Sequence, residues 1–392
     1  MLCNMELVQE KYKQTEIGLI PSDWKVDFIK NIAQIKTGSR NTQDRLENGL
    51  YPFFVRSQTI ERINSYCYDG EAILTAGDGV GVGKVIHYVN EKFDCHQRVY
   101  RISDFKSNIN GYYFYLYFSN NFYNRIMQMT AKSSVDSVRM EMIADMQIPL
   151  PPTLQEQTLI ATVLSNTDTW ITNLEKLLTK KRQIKQAALQ ELLKPKLDWE
   201  VKKLGEVASF LKGKGLPKSH INESGKYKCI HYGELFTKYK ELISNILSHT
   251  NEKENTISSI SNDVLMPTSD VTPNGLATAS CIKENGVILG GDVLIIRPNK
   301  NVLDGIYLSY FITKNKERVM MMVTGSTVYH LYGTDMNNFI VEFPKIEEQT
   351  QIANILTDMD IEIKQLEIKI DKAKKVKQGM MQELLTGKIR LV

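Results

Sequence analysis

A segment from the middle of the chain is repeated, without a gap, near its end. Residues 156–193 align with residues 348–385 at an offset of 192, and 17 of the 38 aligned positions are identical. A duplication of this length constrains the fold strongly, because each copy should form the same element in the same surroundings. We therefore expect two copies of one structural unit, related by an internal pseudo-twofold symmetry.

Both copies are predicted to be long helices, because their apolar residues recur at alternating spacings of three and four. We predict one helix over 153–194 and another over 345–386, which pack on each other as a spacer. Two amphipathic helices on separate domains are the alternative. The residues expected in the helix-pair interface are Ile160, Leu164, Ile171, Leu174, Leu178, Leu192, Leu356, Met359, Ile363, Leu366, Ile370 and Leu384.

Local signals refine the two helices. Thr153 and Glu156 have the spacing of a capping box at the start of the first. Small residues at equivalent positions, Ala187 and Gly379, are expected to allow close approach of the pair. Polar residues interrupt the apolar seam at Thr167, Lys181, Lys185 and Lys377.

The rest of the unit is also duplicated. Asp198-Trp199 repeats Asp23-Trp24 at an offset of 175, and the short strands predicted after it are separated by glycine-rich turns. We expect an α+β fold in which two α/β globules are each followed by a long helix. The predicted organisation is an N-terminal arm (1–20), a globule (21–152), a helix (153–194), a second globule (195–344), a second helix (345–386) and a tail (387–392).

Composition indicates a folded protein of a reducing compartment. The 392 residues include five cysteines without a C-x-x-C pair, which argues against a disulfide framework or a zinc site. The net charge of +4 does not by itself indicate nucleic-acid binding. The N-terminus lacks the apolar core of a signal peptide, and no stretch approaches a membrane span. We therefore predict a cytoplasmic protein that does not bind membranes.

No catalytic motif is complete. The run GDGVGVGK (77–84) has Asp78 where a phosphate-binding loop needs its first glycine and Val85 where it needs Ser or Thr, so a glycine-rich hairpin is the better interpretation. The acids of PKLDWEVK (195–202) lie too close in sequence to converge on a metal ion. Neither a metal site nor a catalytic residue is therefore predicted, and a stand-alone nuclease is the weaker alternative.

Two further features have competing interpretations. The aromatic run at 112–123 could stack on bases, but its helical spacing favours a position in the core. The polar segments 132–139 and 324–333 precede the last strand of each globule. They are either plain surface loops or loops that contact bases and phosphates.

The whole arrangement resembles the specificity subunit of type I restriction-modification systems. The resemblance rests on EIGLIPSDWK (16–25), the I-P-x-P…EQ run at 148–157, the ELL ends at 191–193 and 383–385, and the double globule-helix plan. The corresponding second run, IVEFPKIEEQ (340–349), lacks the first proline.

The resemblance implies two target-recognition domains that read the halves of a split double-stranded DNA site. It also implies that the two helices pair as an antiparallel coiled coil, set the distance between half-sites and dock two modification (methyltransferase) subunits. Those partners would use S-adenosylmethionine, and restriction (motor-nuclease) subunits would use ATP and Mg²⁺. No cofactor is expected in this chain.

Polar residues in loops and at strand ends are the candidates for DNA contact. In the first globule they are Arg40, Arg56, Gln58, Arg62, Lys84, Arg98, Ser134 and Arg139. In the second they are Lys214, Lys218, Tyr232, Ser269, Thr272, Asn274, Thr327 and His330. A coiled-coil scaffold that binds no specific DNA sequence is the main alternative function.

Overall fold

The computed structural model describes residues 11–129 and 137–391. They fall into two compact units. The first contains the chain up to Leu174 together with the residues from Lys369 onward, and the second spans Glu175–Ile368. Each unit therefore contains one globule and parts of both long helices.

The first unit is a mixed α/β structure. Its strands are β1 (Tyr12–Thr15), β2 (Gly18–Pro21), β3 (Lys25–Phe28), β4 (Gln34–Thr37), β5 (Tyr51–Phe54), β6 (Ile60–Ile63), β7 (Tyr68–Ala76), β8 (Ile86–Cys95), β9 (Val99–Ser103) and β10 (Gln147–Leu150). Its shorter helices are Ile29–Ile32, Gly111–Gln128 and Met140–Ala144, with a 3-10 turn at Thr42–Asp44. The hairpin of β1 and β2 covers the second half of the predicted arm and extends one residue beyond it, to Pro21; the first ten residues of the arm are outside the described range.

A six-stranded sheet forms the centre of this globule, in the order β4-β9-β7-β8-β5-β6. All its pairs are antiparallel except β5 with β8. The helix Gly111–Gln128 supplies much of the apolar core, with Tyr113, Phe114, Phe118 and Phe122 fully buried. The preference for a core role of the aromatic run is therefore confirmed.

The second unit has the same plan with more interruptions. Its strands are β11 (Glu200–Lys203), β12 (Ala208–Lys212), β13 (Tyr227–Ile230), β14 (Leu242–Ile243), β15 (Ser248–Thr250), β16 (Ile257–Ser258), β17 (Asp263–Pro267), β18 (Ser269–Asp270), β19 (Ser280–Ile282), β20 (Ile288–Leu289), β21 (Val293–Pro298), β22 (Tyr329–His330) and β23 (Ile340–Phe343). Its shorter helices are Leu204–Val207, Tyr232–Thr237, Pro273–Leu276, Gly305–Lys314, Lys316–Met320 and Gly333–Met336, with a 3-10 turn at Lys218–His220.

Two sheets replace the single large sheet in the second globule. They have the orders β12-β21-β17-β19-β14 and β15-β13-β20-β16. The long strand β8 of the first globule corresponds to two short strands, β19 and β20, which lie in different sheets. The parallel pair β13 with β20 corresponds to the parallel pair β5 with β8. The second globule thus keeps the strand order of the first around a divided sheet.

Two long helices, Leu154–Leu192 and Ile346–Leu384, follow the globules as predicted. In the first unit the start of the first helix lies beside the end of the second, since Asp168 binds Lys377 at 2.6 Å. In the second unit the opposite ends meet, since Lys185 binds Asp360 at 2.6 Å. The two helices therefore run antiparallel within each unit.

The polar interruptions of the apolar seam form contacts between the helices. Besides the pairs of Lys185 and Lys377, Lys181 binds Glu362 at 2.7 Å. Asp360 also accepts a hydrogen bond from the hydroxyl of Tyr310 at 2.6 Å. Polar pairs inside an apolar helix interface favour one register, because any shift leaves charges unpaired.

The residues proposed for the helix-pair interface fall into three groups. Ile160, Leu164 and Leu384 belong to the core of the first unit, and Leu192 and Leu356 pack into the core of the second. The second group, in the middle stretches of the two helices, is buried: Ile171, Leu174, Ile363 and Ile370. The third group is half-buried: Leu178, Met359 and Leu366.

The prediction of close approach at Ala187 and Gly379 is wrong. Ala187 is exposed, and a Cβ atom built on Gly379 has no neighbour within 4 Å. Small residues promote close approach only where they face the partner helix, and these two do not.

A buried glutamine fixes the start of each long helix to its own globule. The Gln349 side chain accepts a hydrogen bond from the backbone N–H of Asp304 at 2.8 Å and donates to the carbonyls of Val302 and Pro344 at 2.9 and 2.8 Å. In the first unit, Gln157 likewise accepts from Asn110 N–H at 2.9 Å. Each amide satisfies backbone groups that would otherwise be buried without partners.

The acid beside each glutamine binds a cation that follows the other helix. Glu156 pairs with Arg390, whose guanidinium lies 5.8 Å from the Trp24 ring centre. Its equivalent Glu348 pairs with Lys196 at 2.7 Å. The predicted capping box is thus only half correct, since Thr153 Oγ1 accepts from the Glu156 N–H at 3.2 Å but the Glu156 carboxylate binds elsewhere.

We expect Gln349→Leu to lower the free energy of unfolding by about 3 kcal/mol, because it removes three hydrogen bonds from buried backbone groups. The control is Gln351→Leu, at an exposed position on the same helix. Denaturant unfolding followed by circular dichroism measures both. Equal stabilities for the two variants would contradict the anchoring role of Gln349.

Candidate nucleic-acid interface

Loops from four strand ends meet at one edge of the first globule. Arg40, after β4, forms a parallel bridge with His96, in the turn between β8 and β9. Gln97 in the same turn donates to the side chain of Asn41 at 2.6 Å. These residues lie more than 50 positions apart in sequence and are neighbours only because of the strand order.

Asp78 joins two arginines at this edge. Its Oδ1 accepts from Arg56 Nη1 at 2.7 Å, and its Oδ2 accepts from Arg98 Nη1. Burial raises the pKa of Asp78, but the hydrogen bonds from Arg56 and Arg98 outweigh it and hold the pKa below its usual value. The carboxylate is therefore ionised at neutral pH and fixes both guanidinium groups.

The glycine-rich segment 77–84 forms a loop that is anchored at its base. Val82 and Val85 are buried, whereas Val80 is fully exposed. A Cβ atom on Gly83, whose φ is +69°, would lie 2.3 Å from Ile126 Cδ1. Lys84 is exposed and its Nζ lies 5.2 Å from the Tyr123 ring centre. The loop thus presents a cation beside the two arginines, as the predicted hairpin would.

The cations of this cluster act on His96. Its side chain is buried, and burial together with the charges of Arg56 and Arg98 lowers the pKa of His96 below its usual value. The neutral ring accepts a hydrogen bond at Nδ1 from the backbone N–H of Arg98 at 3.0 Å. His96 therefore holds the turn that carries Arg98.

Most of the predicted residues of the first globule come together here. Arg40, Arg56, Gln58, Lys84 and Arg98 lie on the converging loops, and Gln58 donates to the carbonyl of Lys84 at 3.3 Å. Arg139 is exposed and follows a segment tied to the loop, because Val138 N–H donates to the carbonyl of Gly77 at 2.7 Å. That these side chains contact DNA stays a prediction.

One predicted residue of the first globule, Arg62, does not join the cluster. The Arg62 side chain donates to the carbonyls of Gly49 and Leu50 at 3.0 and 2.8 Å, at the opposite end of β5. The guanidinium of Arg62 is therefore held by a turn away from the converging loops, and its contact with DNA stays a prediction. Ser134 lies outside the described residues.

The corresponding edge of the second globule is built in the same way. A Cβ atom on Gly38 would lie 1.8 Å from the carbonyl oxygen of Cys95, and one on Gly213 would lie 1.9 Å from that of Gly290. Both positions require glycine for the same close approach between strand ends. The loop after β17 is also tied to the turn before β21, because Thr268 N–H donates to the carbonyl of Asp292 at 2.9 Å.

Different side chains occupy this second edge. Ser269 pairs with His330 across β18 and β22. The hydroxyl of Thr272 donates to Asp270 at 2.8 Å, and Asn274 is exposed on the short helix that follows. Tyr232 begins the short helix Tyr232–Thr237, two residues after β13, and is half-buried. The edge therefore presents hydroxyl, amide, imidazole and carboxylate groups.

The remaining candidates of the second globule are more scattered. Lys214 lies in the loop after β12 and donates to the side chain of Asn255 at 3.3 Å. Lys218 lies in the 3-10 turn, and its charge contributes, after burial, to the lowered pKa of His231. Thr327 is exposed in the turn before β22. Lys214 adjoins the strand-end loops, because its backbone N–H donates to the carbonyl of Leu289, at the end of β20, at 3.1 Å.

Several residues of the two edges were not among the predicted ones. They are Asn41, Asp78, His96, Gln97, Lys212, His231, Asp270 and Asp292. Asp78 carried a signal, since an acid inside a glycine-rich loop is well placed to bind nearby arginines. The sequence gives no comparable signal for the other residues, because they reach these edges only through the order of the strands.

The catalytic alternatives gain no support from the geometry. Glu200 is an exposed residue of β11 and pairs with Lys202 at 2.6 Å, and Trp199 beside it is buried 6.2 Å from the Tyr307 ring. Among residues 11–129 and 137–391, no group of three or more His, Cys, Asp or Glu side chains is placed to hold a metal ion. Over the same residues, no helix is long and apolar enough to span a bilayer.

We expect the lowered pKa of His96 to make stability depend on pH. Below about pH 6.5 the unfolded chain binds a proton at this residue that the folded chain does not, so the free energy of unfolding falls as the pH is lowered. In His96→Asn the Oδ1 atom replaces Nδ1 without titrating, so this part of the fall should be absent. Denaturant unfolding at pH 7.5 and 5.5 measures the difference, and equal pH dependence in both proteins would contradict it.

Comparison with solved structures identifies the fold. The S subunit of a type I restriction-modification system from M. genitalium superimposes with a TM-score of 0.63, at 16% identity over 96% of this chain and 98% of that one. A chain from a structure described as the basis of complex assembly and conformational transition of the type I R-M system gives a TM-score of 0.55, at 14% identity. At these identities the likeness concerns the fold alone.

Comparison of sequences adds the family. A specificity subunit of type I restriction enzyme MjaX from Methanocaldococcus jannaschii is 27% identical over 98% of this chain and 97% of its own length. The EcoDI specificity subunit of Escherichia coli is 30% identical over 43% of this chain and 36% of its own length. The family model for the type I restriction modification DNA specificity domain matches residues 21–186 and again residues 196–373. With two copies of that domain covering most of its length, the chain belongs to the family of type I restriction-modification specificity subunits.

Proposed function

We propose that this chain reads a split DNA site, with one half-site bound by each globule. The observation that carries the proposal is the pair of equivalent edges, on which strand-end loops converge in the same way and present different polar side chains. A shared frame supplies the position of the contacts, and the divergent side chains supply the sequence preference. The chain itself would perform no chemical step.

The first edge suits the phosphate backbone as well as base edges. Arg40, Arg56, Lys84, Arg98 and Arg139 contribute cations, and all five are exposed. Cations near phosphates supply affinity that is independent of sequence and depends on salt. Arginines that reach a groove add base preference, because their donors match the acceptors of guanine.

The second edge has a different hydrogen-bonding character. Its Asp270 and Asp292 carboxylates accept hydrogen bonds, and the amide of Asn274 both donates and accepts. Exocyclic amino groups of cytosine and adenine are the donors of the major groove, and an amide suits adenine. The two half-sites should therefore differ in sequence.

We propose that the long helices set the separation of the half-sites. Each helix is continuous over 39 residues, and ion pairs hold the antiparallel register inside both units. A paired helix resists bending more than a loop does, so two readers on it should accept only a narrow range of spacings. A separation of about one turn of duplex is expected for such a pair.

Docking of modification subunits is proposed on the outer faces of the helices. In the second unit, Leu177 and Ile184 of the first helix are 41% and 43% exposed, and Ile361 and Ile368 of the second are 50% and 58% exposed. Each pair has the seven-residue spacing of an apolar stripe that another helix can cover. The restriction subunits would join the complex through the same assembly, and S-adenosylmethionine, ATP and Mg²⁺ would bind to the partners.

Methylation of DNA tests the proposal as a whole. The gene is expressed with its modification subunits in a host free of adenine methylation, and N6-methyladenine is mapped along the genome. We expect methylation at one split motif, which disappears when this gene is omitted. Methylation that is unchanged by the omission would contradict a specificity role and favour the scaffold alternative.

We expect Lys84→Ala to weaken DNA binding by a similar factor on every sequence, because a lysine bound to phosphate reads no base. The slope of log K against log salt concentration should fall by about 1. Lys92→Ala, at an exposed site on the β7–β8 hairpin, is the matched control. Titrations of DNA at several salt concentrations measure the slope, and an unchanged slope in Lys84→Ala would rule out the phosphate contact.

We expect Leu177→Asp combined with Ile184→Asp to weaken binding of the modification subunits roughly tenfold or more, because two charges would be buried in an apolar contact. Leu197→Asp changes a fully exposed leucine outside the helices and should have no effect. Calorimetry with purified modification subunits measures the affinities. Docking on this face would be refuted by equal affinities of the three proteins.

A further inference from the structure

Two arginines at the first edge, Arg56 and Arg98, are bound to one carboxylate, that of Asp78. One carboxylate oxygen accepts from Arg56 at 2.7 Å and the other accepts from Arg98. The Asp78 side chain is only 15% exposed, whereas those of Arg56 and Arg98 are 42% and 62% exposed. The acid is thus at the base of the group, and the two guanidinium groups face solvent.

The backbone around this triad is also fixed. Gly77 N–H donates to the carbonyl of Arg98 at 2.8 Å, which ties the loop of Asp78 to the turn of Arg98. On the other side, a Cβ atom on Gly81 would lie 2.6 Å from the carbonyl oxygen of Arg56. The three side chains therefore project from segments whose backbones are in direct contact.

The hydrogen-bonding capacity of the triad is only partly used. Each guanidinium group has five N–H donors, and Asp78 accepts one from each arginine. Within the described residues, no other hydrogen bond from the two guanidinium groups is found. The net charge of the triad is +1, so it attracts DNA while its geometry remains set by the carboxylate.

Resting on the proposed function, we propose that this triad reads guanine in the half-site of the first globule. Guanine is the base that presents two acceptors, O6 and N7, in the major groove, and a guanidinium group donates to both. Arg56 or Arg98 supplies the two donors. Asp78 is a positioning residue, since its carboxylate cannot donate to guanine but holds the guanidinium groups in place.

The second globule has no equivalent triad. The bond from Thr268 N–H to the carbonyl of Asp292 matches that from Gly77 to Arg98, so Asp292 occupies the position of Arg98. Its carboxylate lies 3.4 Å from Lys212. Tyr232, two residues after β13, occupies the position that Arg56 has two residues after β5. The arginine-based preference for guanine is therefore confined to the first half-site.

Selection from a library of randomised double-stranded DNA tests this assignment, using the full chain in complex with its modification subunits. We expect the wild-type protein to select a split motif with a fixed G·C pair in one half. Arg56→Ala or Arg98→Ala should lower the preference for that G·C pair over the other base pairs by roughly 10- to 100-fold. The base preferences in the other half-site should stay unchanged. Arg45→Ala, which removes an exposed arginine paired with Glu61, is the matched control.

Asp78→Asn separates positioning from general stability. The amide keeps the size of the side chain but accepts at only one atom, so one arginine is released. We expect the base preference to weaken at the same G·C pair and to stay unchanged at the other positions. A fold defect would instead weaken the preference at every position. Replacing that guanine by 7-deazaguanine should lower wild-type affinity about tenfold. In the variant of the contacting arginine the replacement should have no effect.

Two outcomes overturn the assignment in distinguishable ways. A split motif whose base preferences are the same in the wild type and in the Arg56→Ala, Arg98→Ala double variant would refute the guanine reader and leave the proposed function intact. Failure of the wild-type complex to select any motif would refute the proposed function, and the guanine reader with it.

Discussion

A buried glutamine amide at the start of each long helix is the interaction on which each unit depends. Gln157 and Gln349 satisfy backbone groups of the preceding globule, so the helix leaves its globule in a fixed direction. The apolar residues next to them then enter the globular core. Ion pairs farther along, such as Lys185 with Asp360, select the register of the helix pair. Anchoring and register together hold each globule on its part of the helices.

At the recognition edges, backbone contacts rather than side chains fix the structure. The frame is kept by backbone contacts, among them the close approach at Gly38 and Gly213, while the exposed side chains differ. Replacing an exposed arginine by an aspartate, as at the positions of Arg98 and Asp292, changes the preferred hydrogen-bond partner without disturbing the sheet. A fold of this kind separates the residues that determine stability from those that would determine sequence preference.

The features set by local periodicity could be predicted from the sequence. Both long helices and the buried aromatic helix could be predicted, because the spacing of apolar residues that indicates each helix lies within one continuous segment. Contacts that depend on the order of strands in the sheet could not be predicted from the sequence. Arg56, Asp78 and Arg98 are neighbours only because β5, β8, β7 and β9 lie side by side. The partners of Lys185 and Lys377 likewise depend on the antiparallel register, and Ala187 was misplaced because apolar spacing alone does not show which face meets the partner helix.

The central claim is that each globule reads its own half-site, and a chain with a duplicated globule tests it most directly. Residues 21–150 are replaced by residues 196–343, and N6-methyladenine is mapped in a host that supplies the modification subunits. The account predicts a new split motif in which the half-site of the first globule is lost and that of the second occurs twice. Retention of the original motif would contradict it.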